Sequence, residues 1–508
     1  MMGNLLVATE RARKTVNGAT CRNNRAEIGQ FLTPATTARF MASLFEKNVE
    51  HVRILDAGAG IGVLFAACVQ AFCSRKYKPK SIEVVAIEND RNVLSHLNDT
   101  IKFCQVICLQ AGVNFDGIVK EEDFVSFAIK QLDRGLFAYN TEKIRFTHAI
   151  LNPPYKKING HSKTRKMLDS SGYGTSNLYT AFVWLAFKML VLGGELVAIT
   201  PRSFCNGPYF KNFRKDLLES TSLQSIHVFE SRNKAFSEDS VLQENVIYRV
   251  IRNASKPETV TISSTVGIDF TDVKRIAVPY DNVVLRGDPD NFIHLIQSEK
   301  GLLVMKQMKR FTCRLETLRL DVSTGRVVDF RTRDFIRQDS GSDTVPLIYP
   351  CHLENGFVEW PNVEGKKPNA ILACDKTAHL LLPSGYYVLI KRFTAKEERR
   401  RVVASIFDPQ RVKTKLVGFE NHINYFHIKG KGLSANMAKG LALFLNSTIF
   451  DDYFRLFSGH TQVNATDLRK MRYPSRPELL RLGAHVKTNM PEQDVIDEIL
   501  AKELGSYE

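Results

Sequence analysis

Apolar and polar positions alternate in two different ways along this chain. Between residues 52 and 200, short apolar runs typical of buried strands alternate with stretches that place apolar residues every three or four positions, the period of a helix. This alternation predicts a doubly wound α/β sheet of mainly parallel strands. Two further strand-like runs, 225–229 and 245–251, predict an antiparallel hairpin added to that sheet, and the regular pattern stops near residue 255.

The second half of the chain has another pattern, in which short apolar runs are separated by turns and basic residues. The 508 residues are more than one hydrophobic core normally organises. We therefore predict an α/β domain at residues 1–255 and a mixed α+β domain at residues 256–508. The polar and basic stretch 1–28 is expected to form an N-terminal helix or arm.

Composition narrows the class of protein. The formal net charge of +16 favours a polyanionic partner, most simply a nucleic acid. The sequence contains neither an apolar run long enough for a membrane span nor a compact apolar segment near Met1, so no span and no signal peptide are expected. Nine cysteines show no pairing logic, and no second Cys or His pair joins Cys104 and Cys108 in a zinc site. We expect reduced thiols, no metal and a cytoplasmic location.

The segment Ala149–Tyr155 carries the most specific chemistry. Its apolar run indicates the end of a buried strand, and two prolines then hold Asn152 and Tyr155 on a stiff turn. The carbonyl oxygens of the Asn152 side chain and the Pro153 backbone can each accept an N–H bond from an exocyclic amine, and so stabilise positive charge as the nitrogen is methylated. Tyr155 offers an aromatic face to an unstacked base. Alone, the tetrapeptide also fits a plain turn after a strand.

A glycine-rich loop follows an earlier strand. Arg53–Asp56 is typical of a buried strand, and the loop Ala57–Gly62 leads from it into an apolar helix. Glycines let the backbone approach a ligand closely where a helix begins. Glu88 ends the next strand, where a carboxylate can accept both ribose hydroxyls of an adenosyl group. Asp123 is expected at a strand end or in a loop, meeting an adenine amino group, although either of the two preceding glutamates could serve instead.

A turn lies upstream of these elements, at Gly29–Pro34. We expect the Thr33 side chain to cap the helix that Pro34 opens, which runs from Ala35 to Phe45.

Basic and aromatic side chains interleave in the second half of the chain, a mixture suited to phosphate contacts together with stacking or base-edge contacts. The basic residues include Arg326, Arg331, Arg333, Lys391, Arg392, Arg399, Arg400 and Arg411, and the aromatic and His residues include Phe393, Phe419, His422 and Tyr425. The same pattern also fits solvated charges over an aromatic core.

Taken in order, Gly29–Pro34, Asp56–Gly62, Glu88, Asp123-Phe124 and Asn152–Tyr155 resemble the gamma class of amino-group DNA methyltransferases. Within that class the chain resembles the adenine-N6 enzymes of type II restriction–modification systems, in particular the PstI/BsuBI-like group. The motifs cover about residues 29–250. The resemblance implies a Rossmann-like S-adenosylmethionine-dependent methyltransferase domain, with an N-terminal arm, over residues 1–255. It also implies a DNA target-recognition domain over residues 256–508.

The same resemblance assigns roles to individual residues. The S-adenosylmethionine-binding positions of the family fall on Gln30, Phe31, Thr33, Pro34, Asp56, Gly58, Gly60, Glu88, Asp123 and Phe124. The catalytic positions fall on Asn152, Pro153 and Tyr155, and Phe236 matches the aromatic residue that holds the flipped base together with Tyr155.

The resemblance thus implies a monomeric bacterial enzyme that methylates adenine N6 in double-stranded DNA and protects host DNA from a cognate restriction endonuclease, without obligatory contact between the two proteins. Cytosine-N4 methylation relies on the same chemistry, although that group more often has Ser at the position of Asn152. Two more hypotheses stay open, namely methylation of protein glutamine or ribosomal RNA, and a non-catalytic DNA-binding specificity subunit.

Overall fold

Nine strands form one sheet in the first part of the chain. The structure, a computed structural model, describes residues 4–19, 32–132, 144–230, 244–394, 398–458 and 462–505. The chain divides into two units, Met1–Ser298 and Glu299–Glu508. Across the described ranges, no helix has both the length and the apolar character that crossing a membrane requires.

The strands of the first unit agree with the predicted order of elements as far as residue 252, and two further strands follow. They are β1 (His51–Ala57), β2 (Ser81–Glu88), β3 (Asn114–Glu121), β4 (Phe146–Leu151), β5 (Leu190–Pro201), β6 (Thr221–Phe229), β7 (Asn245–Arg252), β8 (Thr259–Thr265) and β9 (Lys274–Pro279). The helices are α1 (Asn4–Ala19), α2 (Ala35–Ser43), α3 (Val63–Cys73), α4 (Leu94–Ala111), α5 (Phe124–Leu132), α6 (Lys163–Ser170), α7 (Leu178–Lys188), α8 (Lys211–Ser220) and α9 (Tyr280–Val283).

The strand order is β3-β2-β1-β4-β5-β7-β6-β8-β9. The first five strands in this order are parallel, with Asp56 of β1 opposite Ala86 of β2 and Ile150 of β4. The chain order reverses between β1 and β4, and in open α/β sheets ligands bind at the carboxyl ends of the strands at such a point. The doubly wound fold predicted from the sequence is confirmed.

The predicted hairpin is also present, since β6 and β7 pair antiparallel and β7 lies between β5 and β6. The first unit continues beyond residue 255, where the sequence analysis placed the domain boundary. The reason is that β8 pairs with β6 and β9 pairs with β8, which extends the same sheet to Pro279. The structural division therefore falls after Ser298.

The core of the first unit joins the sheet to the helices on its flank. One buried cluster includes Leu6 of α1, Met41 of α2, Phe65 of α3 and Ile150 of β4. The N-terminal arm expected over residues 1–28 is thus helical from Asn4 to Ala19 and packs into this core rather than standing apart.

The second unit is mixed α+β. Its strands form a six-stranded sheet in the order β10-β20-β17-β18-β14-β13 and a five-stranded sheet in the order β11-β15-β12-β19-β16. They are β10 (Asp321–Thr324), β11 (Ile336–Arg337), β12 (Thr344–Ile348), β13 (Leu353–Glu354), β14 (Phe357–Val358), β15 (Ala370–Leu372), β16 (Leu381–Pro383), β17 (Tyr387–Lys391), β18 (Ala404–Phe407), β19 (Leu416–Phe419) and β20 (Ile423–His427).

Most helices of the second unit lie near the beginning and the end of its sequence. They are α10 (Glu299–Met308), α11 (Asp329–Thr332), α12 (Ala435–Leu445), α13 (Thr448–Phe457), α14 (Ala465–Lys470), α15 (Arg476–Ala484) and α16 (Gln493–Leu504). Tyr387, Phe419 and Tyr425 are among the buried aromatic residues between the strands.

Candidate active site

Asn152 lies directly after β4, at the carboxyl edge of the sheet next to β1. The side chain is half-buried, and its nitrogen Nδ2 donates a hydrogen bond of 2.9 Å to the hydroxyl of Thr33. Because Nδ2 points at Thr33, the carboxamide oxygen Oδ1 is turned away from that residue. The amide is therefore held by its donor end and presents its acceptor end elsewhere.

The two residues that accompany Asn152 are also fixed. Pro153 is buried, and within the described part of the chain no donor is bonded to its carbonyl oxygen. The Tyr155 hydroxyl donates to the carbonyl oxygen of Ile199 at 3.4 Å, and the ring meets Tyr179 edge-on with centroids 6.3 Å apart. Burial raises the pKa of the Tyr155 phenol well above its usual range, so the hydroxyl stays protonated. Tyr155 thus offers a ring, and no ionised base.

Thr33 has a different role from the predicted one. The cap position of α2 is occupied by Pro34 without any side-chain cap, so the prediction that Thr33 caps this helix is wrong. The backbone N–H of Ala35 instead donates to the carboxylate of Glu10 in α1, at 3.1 Å. A carboxylate from another helix therefore accepts one N–H of the first turn of α2, and the Thr33 hydroxyl binds Asn152.

The glycine-rich loop has glycine at three positions where the backbone requires it. Gly58, Gly60 and Gly62 have φ values of 73°, 55° and 85°, in the left-handed region that other residues rarely adopt. A Cβ atom on Gly60 would lie 2.9 Å from Cδ2 of Leu32, so a side chain there would push against that residue. The N–H of Gly58 donates to the carbonyl of Ile87, which fastens the loop to the end of β2.

Glu88 ends β2 and is buried beside this loop. Its Oε2 accepts the N–H of Gly60 at 2.7 Å, while Oε1 accepts the N–H groups of Asn89 and Asp90, both at 2.8 Å. A carboxylate offers about four lone-pair positions, so Oε2 retains capacity for another donor. Glu88 therefore both closes the loop and keeps an acceptor for a ligand.

Asp56 supports the loop from beneath. It is fully buried, and its Oδ2 accepts the N–H of Phe65 in the first turn of α3 at 3.2 Å, whereas Oδ1 has no partner among the described residues. Burial, assisted by the nearby Glu88 carboxylate, raises the pKa of Asp56 to about 8. The carboxyl group therefore favours its protonated form, and it supports the loop and the first turn of α3 from beneath.

The adjacent residues Asp123 and Phe124 have different surroundings in the structure. Asp123 caps α5 by accepting the N–H of Ser126 at Oδ1, 2.8 Å away, and its side chain borders a cavity. Phe124 is buried behind Phe182, with ring centroids 4.9 Å apart, and it is Phe182 that lines the cavity.

This cavity, of about 240 Å³, unites these groups at the carboxyl ends of β1, β2 and β4. Of the predicted residues, those that line it are Thr33, Gly58, Gly60, Glu88, Asp123 and Asn152. Pro34, Asp56, Phe124, Pro153 and Tyr155 are not lining residues, and for the first three of these the structure shows a supporting role behind or beside the wall. The predictions for Gln30, Phe31 and Phe236 lie outside the described residues.

The sequence analysis missed part of the cavity wall. Pro154, Lys156, Leu178 and Phe182 also line it. Phe182 belongs to α7, whose apolar stripe is typical of ordinary core, and it is almost fully buried. A side chain that packs in the hydrophobic core and also lines a cavity has no distinct signal in the sequence. In the structure, the position of Phe182 at the cavity follows from its closeness to Gly58, where an added Cβ would lie 3.5 Å from the Phe182 ring.

Comparison with known proteins identifies the family. The family model described as Eco57I restriction-modification methylase matches residues 73–236. The type II methyltransferase M.PstI of Providencia stuartii is 43% identical over 500 residues, covering 98% of this chain and 97% of the relative. The chain belongs to the type II DNA methyltransferases of restriction–modification systems.

Two further similarities extend over most of this methyltransferase. The type II methyltransferase M.BsuBI of Bacillus subtilis is 43% identical over 493 residues, which are 96% of this chain and 95% of the relative. Among solved structures, the type IIL restriction-modification enzyme MmeI in complex with DNA matches with a TM-score of 0.53 at 11% identity, covering 99% of this chain and 73% of the MmeI chain. At that identity the likeness supports the fold of the methyltransferase and no detail of its chemistry.

Proposed function

We propose that this methyltransferase transfers the methyl group of S-adenosylmethionine to N6 of an adenine that has been flipped out of duplex DNA. The observation that carries the proposal is the arrangement at the end of β4. There the acceptor end of the Asn152 carboxamide and the carbonyl of Pro153 follow one another on a rigid turn, next to a cavity that contains two acidic side chains.

The cavity suits S-adenosylmethionine. Glu88 retains acceptor capacity for the ribose hydroxyls and Asp123 for the adenine amino group, since each carboxylate uses only some of its lone pairs on backbone amides. The Phe182 ring and the bare backbone of Gly58 and Gly60 provide apolar surface and close approach. The cofactor, when bound, supplies a methyl group on a positively charged sulfur.

The residues at the end of β4 act on the amine that receives this methyl group. Asn152 Oδ1 and the Pro153 carbonyl accept the two N–H bonds of the exocyclic amine, which aligns its lone pair and stabilises the positive charge that develops on nitrogen. Tyr155 holds the flipped base by its ring, because its hydroxyl is engaged with Ile199 and remains protonated. No protein base is required, since the extra proton leaves the methylated amine for solvent after transfer.

Adenine is the proposed target base because the chain carries Asn at position 152 and its motifs resemble those of the adenine-N6 group. The two relatives that are 43% identical are named only as type II methyltransferases. Cytosine-N4 methylation would use the same acceptor pair and is the principal competing hypothesis.

The second unit, Glu299–Glu508, is the proposed target-recognition part. It combines exposed aromatic rings with cations: Phe330 is 77% exposed with the Arg331 guanidinium 5.3 Å from its ring centre, and half-exposed Phe393 has Arg392 5.6 Å from its ring centre. Such groups suit contacts with phosphates and bases. We propose that the enzyme acts as a monomer in the bacterial cytoplasm and protects DNA from a cognate endonuclease, without obligatory contact with that endonuclease.

The test is transfer of labelled methyl from S-adenosylmethionine to unmethylated plasmid DNA, followed by nucleoside analysis. The proposal predicts label in N6-methyladenine. Label in N4-methylcytosine would be consistent with the proposed mechanism but would contradict adenine as the target base. The absence of label in DNA would contradict the proposed reaction.

A further inference from the structure

The hydrogen bond from Asn152 to Thr33 joins segments 119 residues apart. We propose that Thr33 is a positioning residue for methyl transfer, whose hydroxyl accepts Nδ2–H of Asn152 and so directs Oδ1 of the same carboxamide toward the amine of the target base. The inference rests on the proposed function and deepens it, because it assigns Thr33 a role in the orientation of Asn152 in addition to its expected place in the cofactor site.

Orientation matters because a carboxamide is a donor at one end and an acceptor at the other. If the group were rotated by half a turn, its NH₂ would face the N–H bonds of the amine, and two donors would oppose each other. A hydroxyl has one proton and two lone pairs. Thr33 also lines the cavity, so once its proton is donated to an acceptor on a bound ligand, only its lone pairs remain for Asn152. The carboxamide must then present Nδ2 to Thr33 and Oδ1 to the substrate.

The surroundings make Thr33 a rigid anchor. Its side chain is 3% exposed and β-branched, and Pro34 restricts the Thr33 backbone. The residue after Pro34, Ala35, is held by Glu10 of α1, which is itself bonded to Arg13 at 2.7 Å. Packing and a second layer of hydrogen bonds therefore fix the hydroxyl that fixes Asn152, as a preorganised site requires.

The test replaces Thr33 by Val, which keeps the volume and removes the hydroxyl. With S-adenosylmethionine and DNA both saturating, we expect kcat of Thr33→Val to fall about tenfold, the equivalent of one hydrogen bond. Thr33→Ser restores the hydroxyl, and its kcat is expected within about threefold of wild type. Saturation separates this effect from any loss of cofactor affinity, which would raise KM instead.

The matched control lies one turn further along the chain, in α2. Thr37 is 1% exposed and its hydroxyl has no partner among the described residues, so Thr37→Val removes a buried hydroxyl nearby without touching Asn152. Its kcat is expected to match wild type. Melting temperatures of the variants verify that folded proteins are compared.

A double-mutant cycle gives a second measurement. The Ser side chain of Asn152→Ser is too short to reach Thr33, so Thr33→Val should cost less than about threefold in that background. If Thr33→Val lowers kcat by the same factor in both backgrounds, the inference is contradicted. It is also contradicted if the kcat of Thr33→Val is within about threefold of wild type, or if the kcat of Thr33→Ser is as low as that of Thr33→Val. These results presuppose an active wild-type enzyme, whereas failure of the proposed function would appear as no methyl transfer by the wild type.

Discussion

Two clusters of polar side chains lie at opposite ends of the parallel part of the sheet. They differ in whether hydrogen-bond acceptors remain available to a ligand. On the amino-terminal side, Glu195 accepts two hydrogen bonds from Arg249 at Oε1 and the N–H groups of Glu46 and Lys47 at Oε2. On the carboxyl-terminal side, Glu88 and Asn152 are held by equally definite bonds but border a cavity. Buried charge alone therefore does not mark the site; buried acceptors with remaining capacity beside a cavity do.

His148 shows the same distinction. It lies in β4, the strand that ends next to Asn152, and would be a natural candidate for a catalytic base. The ring is completely buried between Phe45 and Phe72, and burial lowers the pKa of His148 to about 3. The imidazole is therefore neutral throughout the physiological range and belongs with the structural cluster around Glu195.

The largest expected effect concerns Asn152. Asn152→Ala removes the acceptor of the carboxamide, so we expect the rate of methyl transfer to fall on the order of 10²–10³-fold or more. Binding of S-adenosylmethionine, measured by calorimetry, should change little because Glu88, Asp123 and the glycine loop are intact. A variant with a near-normal transfer rate would contradict the assignment.

The second effect tests the opposite end of the strands. Glu195→Gln removes one of the two carboxylates that pair with the buried Arg249, whose guanidinium also lies 2.8 Å from Glu46, so we expect a loss of about 1–3 kcal/mol of unfolding free energy. The midpoint of chemical denaturation should fall, with an unchanged transfer rate per folded molecule.

A pair on the neighbouring strands provides the control. Arg53 and Glu83 bond at 2.9 Å but are 37% and 28% exposed, so Glu83→Gln is expected to cost less than about 1 kcal/mol. If Glu195→Gln slowed methyl transfer tenfold in folded protein, the contrast between the two ends of the sheet would be lost.

A smaller effect is expected in the glycine loop. Gly60→Ala strains a left-handed residue and pushes Leu32 toward the cavity, so the Kd for S-adenosylmethionine should rise about tenfold. Gly112→Ala imposes similar backbone strain at φ 72°, where an added Cβ meets nothing within 4 Å. Calorimetry should show normal cofactor affinity for Gly112→Ala, and equal losses in both variants would show that strain rather than cavity shape is responsible.

A further effect is a pH dependence of stability. The pKa of Asp56 is raised to about 8 in the folded protein, whereas an unfolded Asp titrates near about 4. Between these values the folded state holds a proton that the unfolded state has lost, so the contribution of Asp56 to stability is complete below about pH 4 and declines as the pH rises to about 8.

Asp56→Asn cannot titrate and should remove that decline. Between about pH 4 and about pH 8, the melting temperature of the variant is expected to rise relative to that of the wild type as the pH increases. A difference between the two proteins that stays constant over this range would show that Asp56 ionises normally in the fold.

Much of the first unit is predictable from the sequence because its signals are local. The loop after β1, the acid that ends β2 and the prolines after β4 each mark a strand end, and parallel strands bring their carboxyl ends to one edge. The bond between Thr33 and Asn152 has no local signal, since it spans 119 residues, and a Thr before a helix is ordinarily interpreted as a cap.

The later parts of the chain are less predictable for a related reason. Strands β8 and β9 follow the expected boundary at residue 255 and join the sheet only through pairing with β6 and with each other. In the second unit, strands such as Ile336–Arg337 and Phe357–Val358 are two residues long, which is too short for any periodicity. Their positions depend on partners that are distant in sequence.

The most direct test of the central claim is to locate the cofactor. The full chain is irradiated with S-adenosylmethionine that carries a labelled methyl group, and the labelled peptide is identified by mass spectrometry. We predict label in a peptide that contains Thr33 or the Asn152–Lys156 turn, at the carboxyl ends of the strands. Label confined to peptides that contain none of the residues lining the cavity, or no label above an unirradiated control, would contradict the assignment of this cavity.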